Sequence, residues 1–396
     1  MTDVFDSDVA SALFSPGVAD DPHPTYRQIR TSCPVARTAM GDLAVVLISR
    51  YEDVNWALRH PEYFTSAGGN LNLGEQPLIP LEVDPPEHTA YRRLLSPEFV
   101  PREITKLEPD VRRIVRGLID EVAGRGRCDF HEEIATPLPS QIFLALMGLP
   151  TEDLPRFLRW RDDSIRPPVE PGDFEGAQRI RAQTAHEISE YFRTTIARCR
   201  EEPSNTLLSR IVHSTIDGRD LTEEELLGIS HLLLLGGLDT VTATLDCMVG
   251  FLAGHPEYRH QLVDDPSLIP AAVEELLRWL TPVMAIPRAV KQDVTIGGVD
   301  LKAGDAVMLA IGAANDDEAE FSEPMVDFAR QPNRHVAFGG ANHSCLGAHL
   351  ARLELKVAIE ELHRRIPDYR IPDGVEIHFS PGIRQADHLP LEFAPS

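Results

Sequence analysis

Residues 335–354 hold the strongest chemical signal in the sequence: one cysteine, Cys345, between a glycine-rich stretch and an apolar helical pattern. The glycines permit a tight turn whose backbone N–H groups point inward, and a helix that begins near Gly347 directs the positive end of its dipole at the sulfur. We expect these features to lower the pKa of the thiol and to favour a thiolate, which is a nucleophile or a soft metal ligand. His343 lies two residues away, but papain-like and caspase-like cysteine signatures are absent. Taken alone, the pattern also fits a cysteine that is buried inertly in the core.

A second chemical signal is the segment LGGLDTV, which lies inside the apolar run Leu226–Gly254. Burying the Asp239 carboxylate is costly unless it is paired or poised to transfer protons. The Thr240 hydroxyl can compete for the Gly236 carbonyl, and the adjacent glycines weaken the helix, so we expect a kink that opens a small notch. The alternative is a buried helix with a salt-bridged aspartate and a threonine that only bonds its own backbone.

The segment FGGANHSCLGAHLAR, residues 338–352, resembles the haem-binding signature of the cytochrome P-450 family, Phe-Gly-x-Gly-x-His-x-Cys-x-Gly followed by x-x-Leu-Ala-Arg. One position departs, because Ala341 stands where the family has its second glycine. The resemblance implies that Cys345 is the thiolate ligand of the haem iron, where it donates electron density and favours cleavage of the O–O bond. The matching positions that it implies to surround the haem are Phe338, Gly339, His343, Cys345 and Gly347.

Two further motifs follow in the family order. GGLDTV is similar, apart from its last residue, to the oxygen-activation motif Ala/Gly-Gly-x-Asp/Glu-Thr-Thr, and implies that Thr240 stabilises bound dioxygen while Asp239 relays protons. EELLRWL places Glu275 and Arg278 as the family's Glu-x-x-Arg pair, which Arg330 would join. The resemblance implies a structural role for these three residues.

The two propionates of a haem are anions, and they need cationic hydrogen-bond donors when they are buried. DPPEHTAYRRLL resembles the family segment that enters the propionate-binding helix, and its His88 and Arg92 are four residues apart, so that they share one helix face. The resemblance implies Arg288 and His343 as the other two propionate partners. For each of the four taken separately, a solvated surface charge is the alternative.

The composition limits the classes of partner. The chain has 396 residues and a formal net charge of −24, so we expect no binding to nucleic acid or to anionic membrane surfaces. Five scattered cysteines without a CxxC pair fit a reducing compartment, and the acidic, proline-broken N-terminus is no secretory signal. The run Leu226–Gly254 is long enough to cross a bilayer, but Asp239 and Asp246 would each cost about 2.5–3.5 kcal/mol there. We therefore expect a cytoplasmic protein with that run buried in its core.

The hydrophobic patterns predict a mainly α protein with small β-sheets, arranged as a single domain over residues 1–396. Strands are predicted in VARTAM, LAVVLISR and EIHFS, and in a hairpin that turns at Gly297-Gly298. The resemblance implies the cytochrome P-450 fold, a large triangular helical domain with the haem between the long central helix and the cysteine-bearing helix. The predicted helices are 104–122, 140–147, 177–200, 222–252, 270–280 and 348–365.

The resemblance implies a monooxygenase that uses haem b and inserts one atom of dioxygen into a small-to-medium hydrophobic substrate. No G-x-G-x-x-G dinucleotide fingerprint appears, so we expect electrons from a separate ferredoxin, in preference to a flavodoxin, and its NAD(P)H-dependent reductase. Docking of an acidic carrier would need a local basic patch. Its candidates are Arg92, Arg93, Arg102, Lys106, Arg112, Arg113 and Arg116. Two alternatives are a haem-thiolate peroxygenase driven by hydrogen peroxide and a non-catalytic haem sensor.

The substrate pocket is predicted to be apolar, which favours a compact hydrophobic substrate. LLGGLDTV and VDFARQ are similar to the camphor hydroxylase branch, so a terpenoid-like substrate is favoured over a steroid, an aromatic compound or a fatty chain. Residues 166–176, rich in proline and glycine, form either a mobile lid or an ordinary surface connection. The implied lining residues are 66–80 (with Asn70, Asn72 and Gln76 as candidate hydrogen-bond donors), Leu235, Gly236, Pro282, Val283, Met284, Ala285 and Ile286.

Overall fold

The computed structural model describes residues 12–15, 17–40, 43–67, 75–170, 172–322 and 325–396. Helices dominate this part of the chain, and five of the six predicted helical segments each coincide with one helix. The sixth, 104–122, is divided between Pro101–Thr105 and Glu108–Ala123. The helices are α1 (His23–Ser32), α2 (Tyr51–Arg59), α3 (Glu87–Leu95), α4 (Pro101–Thr105), α5 (Glu108–Ala123), α6 (Pro137–Met147), α7 (Leu154–Ile165), α8 (Phe174–Glu201), α9 (Leu207–Val212), α10 (Glu223–Gly254), α11 (Pro256–Asp264), α12 (Ile269–Leu280), α13 (Ile311–Asn315) and α14 (Ala348–Arg365).

The long helix α10 begins at a capping box. The Thr222 hydroxyl accepts a hydrogen bond from the Glu225 N–H at 3.2 Å, and the Glu225 carboxylate accepts one from the Thr222 N–H at 2.7 Å. The helix then continues without interruption through both adjacent glycines, so the predicted kink does not break it. By length and composition α10 could cross a membrane, but 72% of its most apolar stretch is buried inside the protein.

Within the described residues, the strands form one five-stranded sheet, one three-stranded sheet and two two-stranded sheets. The larger sheet has the order β1-β2-β10-β7-β3, in which β10 pairs in parallel with β2 and antiparallel with β7. The predicted hairpin is confirmed as β8–β9, and Gly297 and Gly298 turn it with φ values of 54° and 79°. The strands are β1 (Val35–Met40), β2 (Leu43–Ile48), β3 (Phe64–Thr65), β4 (Arg127–Asp129), β5 (Thr215–Ile216), β6 (Arg219–Asp220), β7 (Ile286–Val290), β8 (Val294–Ile296), β9 (Val299–Leu301), β10 (Ala306–Leu309), β11 (Tyr369–Arg370) and β12 (Pro390–Phe393).

The strand that was predicted in EIHFS, residues 376–380, is wrong. Only a single bridge from Phe379 to Ala386 forms there, because Gly374 and Gly382 turn the chain on either side of the segment. The nearby C-terminal sheet instead pairs β11 with β12 and β12 with β4.

Packing brings α10, which carries Thr240, into contact with α14, which follows Cys345. α10 packs against α6, α7 and α8 on one side, and it also contacts α14. α14 packs against α5 and α12, and the segment carrying Cys345 leads directly into α14. A cavity remains between α10 and the start of α14.

Candidate functional site

Most of the site residues predicted from the sequence line one cavity of about 400 Å³. Of the ten predicted site residues, nine line it, although they are separated by up to 259 positions in the chain. The exception is Asp239. The nine are His88, Arg92, Thr240, Arg288, Phe338, Gly339, His343, Cys345 and Gly347.

The backbone of residues 338–345 closes a tight loop under the cavity. The Cys345 N–H donates to the Phe338 carbonyl at 2.8 Å, and the Gly339 N–H donates to the Val336 carbonyl at 2.8 Å. Gly339 has a φ of 68°, which suits glycine, but Ala341 also adopts a left-handed φ of 51°. Such a conformation costs an alanine about 1–2 kcal/mol. The departure from the family motif is therefore accommodated by backbone strain.

The sulfur of Cys345 faces the cavity. Burial raises the pKa of the Cys345 thiol, while the Gly347 N–H and the cations Arg92 and Arg352 act in the opposite direction. The predicted lowering of this pKa is therefore wrong, because desolvation outweighs the helix end. A thiolate at this position needs a cation beside it, and a coordinated metal ion meets that need.

The ring of Phe338 is fixed against the cysteine loop by a charged clamp. The guanidinium carbon of Arg352 lies 4.4 Å from the ring centroid, in cation–π geometry. Arg352 also donates to both carboxylate oxygens of Glu274, at 2.7 and 2.9 Å, and His335 contacts the same carboxylate at 3.2 Å. These contacts leave the aromatic ring little freedom to move away from the loop.

Two histidines meet at one end of the cavity. The rings of His88 and His343 lie 4.1 Å apart, centroid to centroid. His88 Nδ1 and His343 Nε2 are buried, and neither has a hydrogen-bond partner within the described residues. Burial lowers the pKa of His343 to about 3, with further contributions from His88 and Arg288. Buried nitrogens without partners are costly, so they indicate that a ligand supplies their hydrogen bonds.

Arg92 and Arg288 reach the same end of the cavity, and within the described residues neither forms an ion pair with a carboxylate. The Asp84 carboxylate, which acts electrostatically on Arg288, is bound by other groups, accepting from Thr65, Ser66 and Lys291. Burial lowers the pKa of Arg288 to about 10, so its charge is retained at neutral pH but is poorly solvated.

These residues fit a haem. Two arginines without counter-ions and two buried ring nitrogens without partners suit a pair of propionates, and a cavity-facing sulfur suits an iron ligand. The rest of the lining is mainly apolar, as a porphyrin requires.

Thr240 lines the cavity from α10, and its hydroxyl donates to the Gly236 carbonyl at 3.2 Å, as predicted. Asp239 is fully buried and turns away. Its Oδ1 accepts from Arg166 Nη2 at 2.5 Å, and its Oδ2 accepts from Arg166 Nη1 at 3.3 Å. Burial raises the pKa of Asp239, and Arg166 opposes that rise. The first residue of the predicted lid is therefore tied to α10.

The apolar wall agrees with the prediction in part. Pro282, Val283 and Ile286 line the cavity, but Met284 is buried in a separate core cluster. Gly236 lines the cavity and Leu235 does not. Asn70 and Asn72 lie outside the described residues. The lining residues that were not predicted from the sequence include Phe143, Leu146 and Met147 of α6, and Glu354 of α14.

The predicted basic patch stays a prediction. Within the described residues, six of its seven candidate cations bind a neighbouring carboxylate, and Arg92 does not. Arg112 donates to Glu108, Glu360 and Glu361 at 2.6–2.7 Å. Arg116 also binds Glu361. Arg93, Arg102, Lys106 and Arg113 each have a carboxylate partner as well.

Comparison with known proteins identifies the group to which the chain is similar. The family model described as Cytochrome P450 matches residues 170–365. A steroid C26-monooxygenase of Mycobacterium tuberculosis is 35% identical over 405 residues, covering 100% of this chain and 99% of that protein. A vitamin D(3) 25-hydroxylase of Pseudonocardia autotrophica is 35% identical and covers 97% of this chain and 96% of that protein.

A solved structure has the same fold. The cytochrome P450 PksS of the bacillaene polyketide synthase of Bacillus subtilis 168 superimposes with a TM-score of 0.88 at 30% sequence identity, covering 96% of this chain and 99% of that one. These matches extend over nearly the whole chain and are not confined to one motif. The chain therefore belongs to the cytochrome P450 family.

Proposed function

We propose that Cys345 is the iron ligand of a haem-thiolate monooxygenase, and that His88, Arg92, Arg288 and His343 bind the haem propionates. The observation that carries this proposal is the shared cavity, in which the Cys345 sulfur, the Thr240 hydroxyl and the unpaired arginines meet. Propionate oxygens would also supply the hydrogen bonds that the two buried histidine nitrogens lack within the described residues.

The enzyme uses haem b and dioxygen, which supply the redox chemistry and the inserted oxygen atom. The protein residues contribute position, protons and exclusion of water. Thr240 Oγ1 donates to Gly236, so its lone pairs are free to accept a hydrogen bond from a donor within the cavity. Arg166 is partly exposed and holds the buried Asp239 carboxylate, which links that carboxylate to solvent. The apolar wall limits access of further water.

The substrate is hydrophobic, since the cavity offers few polar partners beyond those assigned to haem. We propose a terpenoid-like or steroid-like ring system. The similarity of LLGGLDTV and VDFARQ to the camphor hydroxylase branch supports the first, and the names of the steroid C26-monooxygenase and the vitamin D(3) 25-hydroxylase support the second. Rings of either kind would be held by contact area against α6 and residues 282–286.

The enzyme works with redox partners. We propose a separate ferredoxin and an NAD(P)H-dependent reductase, a cytoplasmic location, and one domain over residues 1–396 without a fused reductase. The burial of α10 and the net charge of −24 support a location away from membranes. The paired state of Arg112 indicates that a partner would have to break local ion pairs, or dock on another face.

Replacing Thr240 by alanine is expected to leave substrate binding unchanged but to reduce product formed per dioxygen consumed by at least about tenfold, because general acid–base catalysis contributes about 10²–10⁴. The lost reducing equivalents should appear as hydrogen peroxide. The measurement combines a spectral titration of the ferric protein with apolar compounds and a balance of dioxygen, peroxide and product.

The matched control is Thr242→Ala on the same helix. The Thr242 hydroxyl donates to Leu238 and Ala135 away from the cavity, so coupling should stay at the wild-type level. Tight coupling in the Thr240 variant would contradict the role of Thr240. Faster turnover of the wild type with added peroxide than with the reducing partners would favour the peroxygenase alternative.

Replacing Arg288 by glutamine is expected to weaken haem retention by about 10–100-fold, because a hydrogen bond to a charged group contributes about 1.5–3 kcal/mol. The rate of haem transfer to an excess of a scavenging apoprotein measures this. Arg93→Gln is the control, since Arg93 is an exposed arginine that faces Asp217 at 3.8 Å. Equal transfer rates in both variants would remove Arg288 from the propionate site.

A further inference from the structure

Glu82 places a carboxylate in the wall of the cavity. Among the described residues only two acids line the cavity, and the other one, Glu354, lies on α14. Glu82 is partly buried, and its carboxylate has one hydrogen-bond partner within the described part of the chain, the Leu78 N–H, which binds Oε2 at 2.8 Å. The second oxygen, Oε1, is therefore available to a ligand.

The loop of residues 77–82 fixes the position of this carboxylate. The Glu82 N–H donates to the Leu78 carbonyl at 2.8 Å, while the Leu78 N–H donates to the Glu82 side chain, so that the two residues are bonded in both directions. Leu78 and Ile79 are buried, which holds the turn against the core. Because the carboxylate is already held in place, a ligand that binds Oε1 does not have to order it.

The same loop lies on the α10 side of the cavity. The Ile79 N–H donates to the Gly228 carbonyl of α10 at 3.4 Å, and a Cβ at Gly228 would collide with the Pro77 carbonyl oxygen. Leu232, one helical turn after Gly228, lines the cavity. Glu82 therefore belongs to the wall beside α10, on the side away from the helix that follows the proposed iron ligand.

The position of the loop sets the length of a substrate that could reach it. Gly228, which the loop contacts, and Thr240 lie about 18 Å apart along the axis of α10. A molecule that extends from Glu82 to the oxygen-activation residues must therefore be elongated. A steroid with its side chain has such a shape, whereas a bicyclic monoterpene is too short.

The chemistry of Oε1 sets the functional group that it accepts. A carboxylate oxygen accepts hydrogen bonds and cannot donate them. A hydrophobic substrate that displaces water from Oε1 leaves this charge without a partner, which is costly. A substrate hydroxyl avoids that cost, because its O–H donates to the carboxylate in a charge-assisted hydrogen bond. A ketone or a carboxylate of the substrate would instead turn its own lone pairs towards the charge.

We propose that Glu82 anchors the substrate, and that it selects an elongated ring system of the steroid type with a hydroxyl group at the end remote from the oxidised position. The inference deepens the proposed function and rests on it. It disfavours a fatty acid, whose carboxylate the Glu82 charge repels, and a small terpenoid, which cannot span the distance.

The test measures how the holoenzyme binds cholestanol and cholestanone, which differ only in a hydroxyl or a keto group at one ring position. The wild type should bind cholestanol about 10–100-fold more tightly, the usual effect of one hydrogen bond to a charged group. The spectral shift of the ferric haem and titration calorimetry give two independent dissociation constants for each sterol.

Glu82→Gln is the variant that separates this role from a structural one. Its amide oxygen can still accept from the Leu78 N–H, which retains the loop, and its amide nitrogen then takes the place of Oε1 as a donor. This variant should lose the preference and bind cholestanone at least as tightly as cholestanol. Glu152→Gln is the matched control, because Glu152 is exposed and does not line the cavity, and it should keep the wild-type preference.

Equal binding of the two sterols by the wild type, or binding of neither, would overturn the inference, as would an unchanged preference in the Glu82 variant. If that variant does not fold, the preference of the wild type decides. The thiolate-type carbon monoxide spectrum tests the proposed function separately. Its absence from the wild type would refute the monooxygenase, whereas a normal spectrum without a sterol preference would refute only the role of Glu82.

Discussion

Replacing Glu275 by glutamine is expected to lower the free energy of unfolding by about 3–5 kcal/mol, the usual result of removing one partner from a buried ion pair. Glu275 is 1% exposed and Arg278 is 0% exposed. Arg278 donates to both oxygens of Glu275, at 2.7 and 2.9 Å, and Arg330 donates to both at 3.0 and 3.1 Å. The amide of glutamine would leave two arginines in the interior without this counter-charge.

Denaturation in urea, followed by circular dichroism, measures the effect. The matched control is Glu175→Gln, because Glu175 is an exposed glutamate whose nearest cation, Arg179, lies 3.9 Å away. Its expected change is within about 0.5 kcal/mol. A loss at Glu275 no larger than the loss at Glu175 would show that the buried triad does not stabilise the fold.

Replacing Cys345 by alanine is expected to abolish the thiolate-type spectrum of the reduced carbon monoxide complex and to remove coupled turnover. The sulfur faces the cavity, and cleavage of the O–O bond depends on electron donation by a thiolate. Absorption spectra of the reduced protein with and without carbon monoxide, recorded beside a turnover assay, give both readings.

Cys247→Ala is the matched control for that experiment. Cys247 is buried on α10, where its thiol contacts the Arg384 carbonyl at 3.2 Å, and it does not line the cavity. This variant should keep the wild-type spectrum. A Cys345 variant with an unchanged spectrum would mean that another group ligates the iron.

The sequence was sufficient for the elements whose signals are local. α10 was predicted over 222–252 and begins at Glu223, and the predicted hairpin turns at Gly297-Gly298. The nine site residues that line the cavity could be predicted because they belong to motifs that are recognisable by residue type and spacing. For the helix cap and the hairpin, the physical cause lies within a few residues of the feature it produces.

What the sequence could not supply depends on contacts between distant segments. The pairing of Asp239 with Arg166 joins positions 73 residues apart, and nothing near either residue indicates it. Two of the three carboxylate partners of Arg112, Glu360 and Glu361, likewise come from α14, which is distant in the sequence. Glu354 was missed because a glutamate in a helix is ordinary until its burial is known.

The direct test of the account is X-ray absorption at the iron edge of the purified haem protein. We expect one sulfur atom in the first shell of iron in the wild type, and its loss when position 345 carries alanine. A first shell of nitrogen and oxygen alone in the wild type would contradict the proposed ligand, and with it the roles assigned to the residues around it.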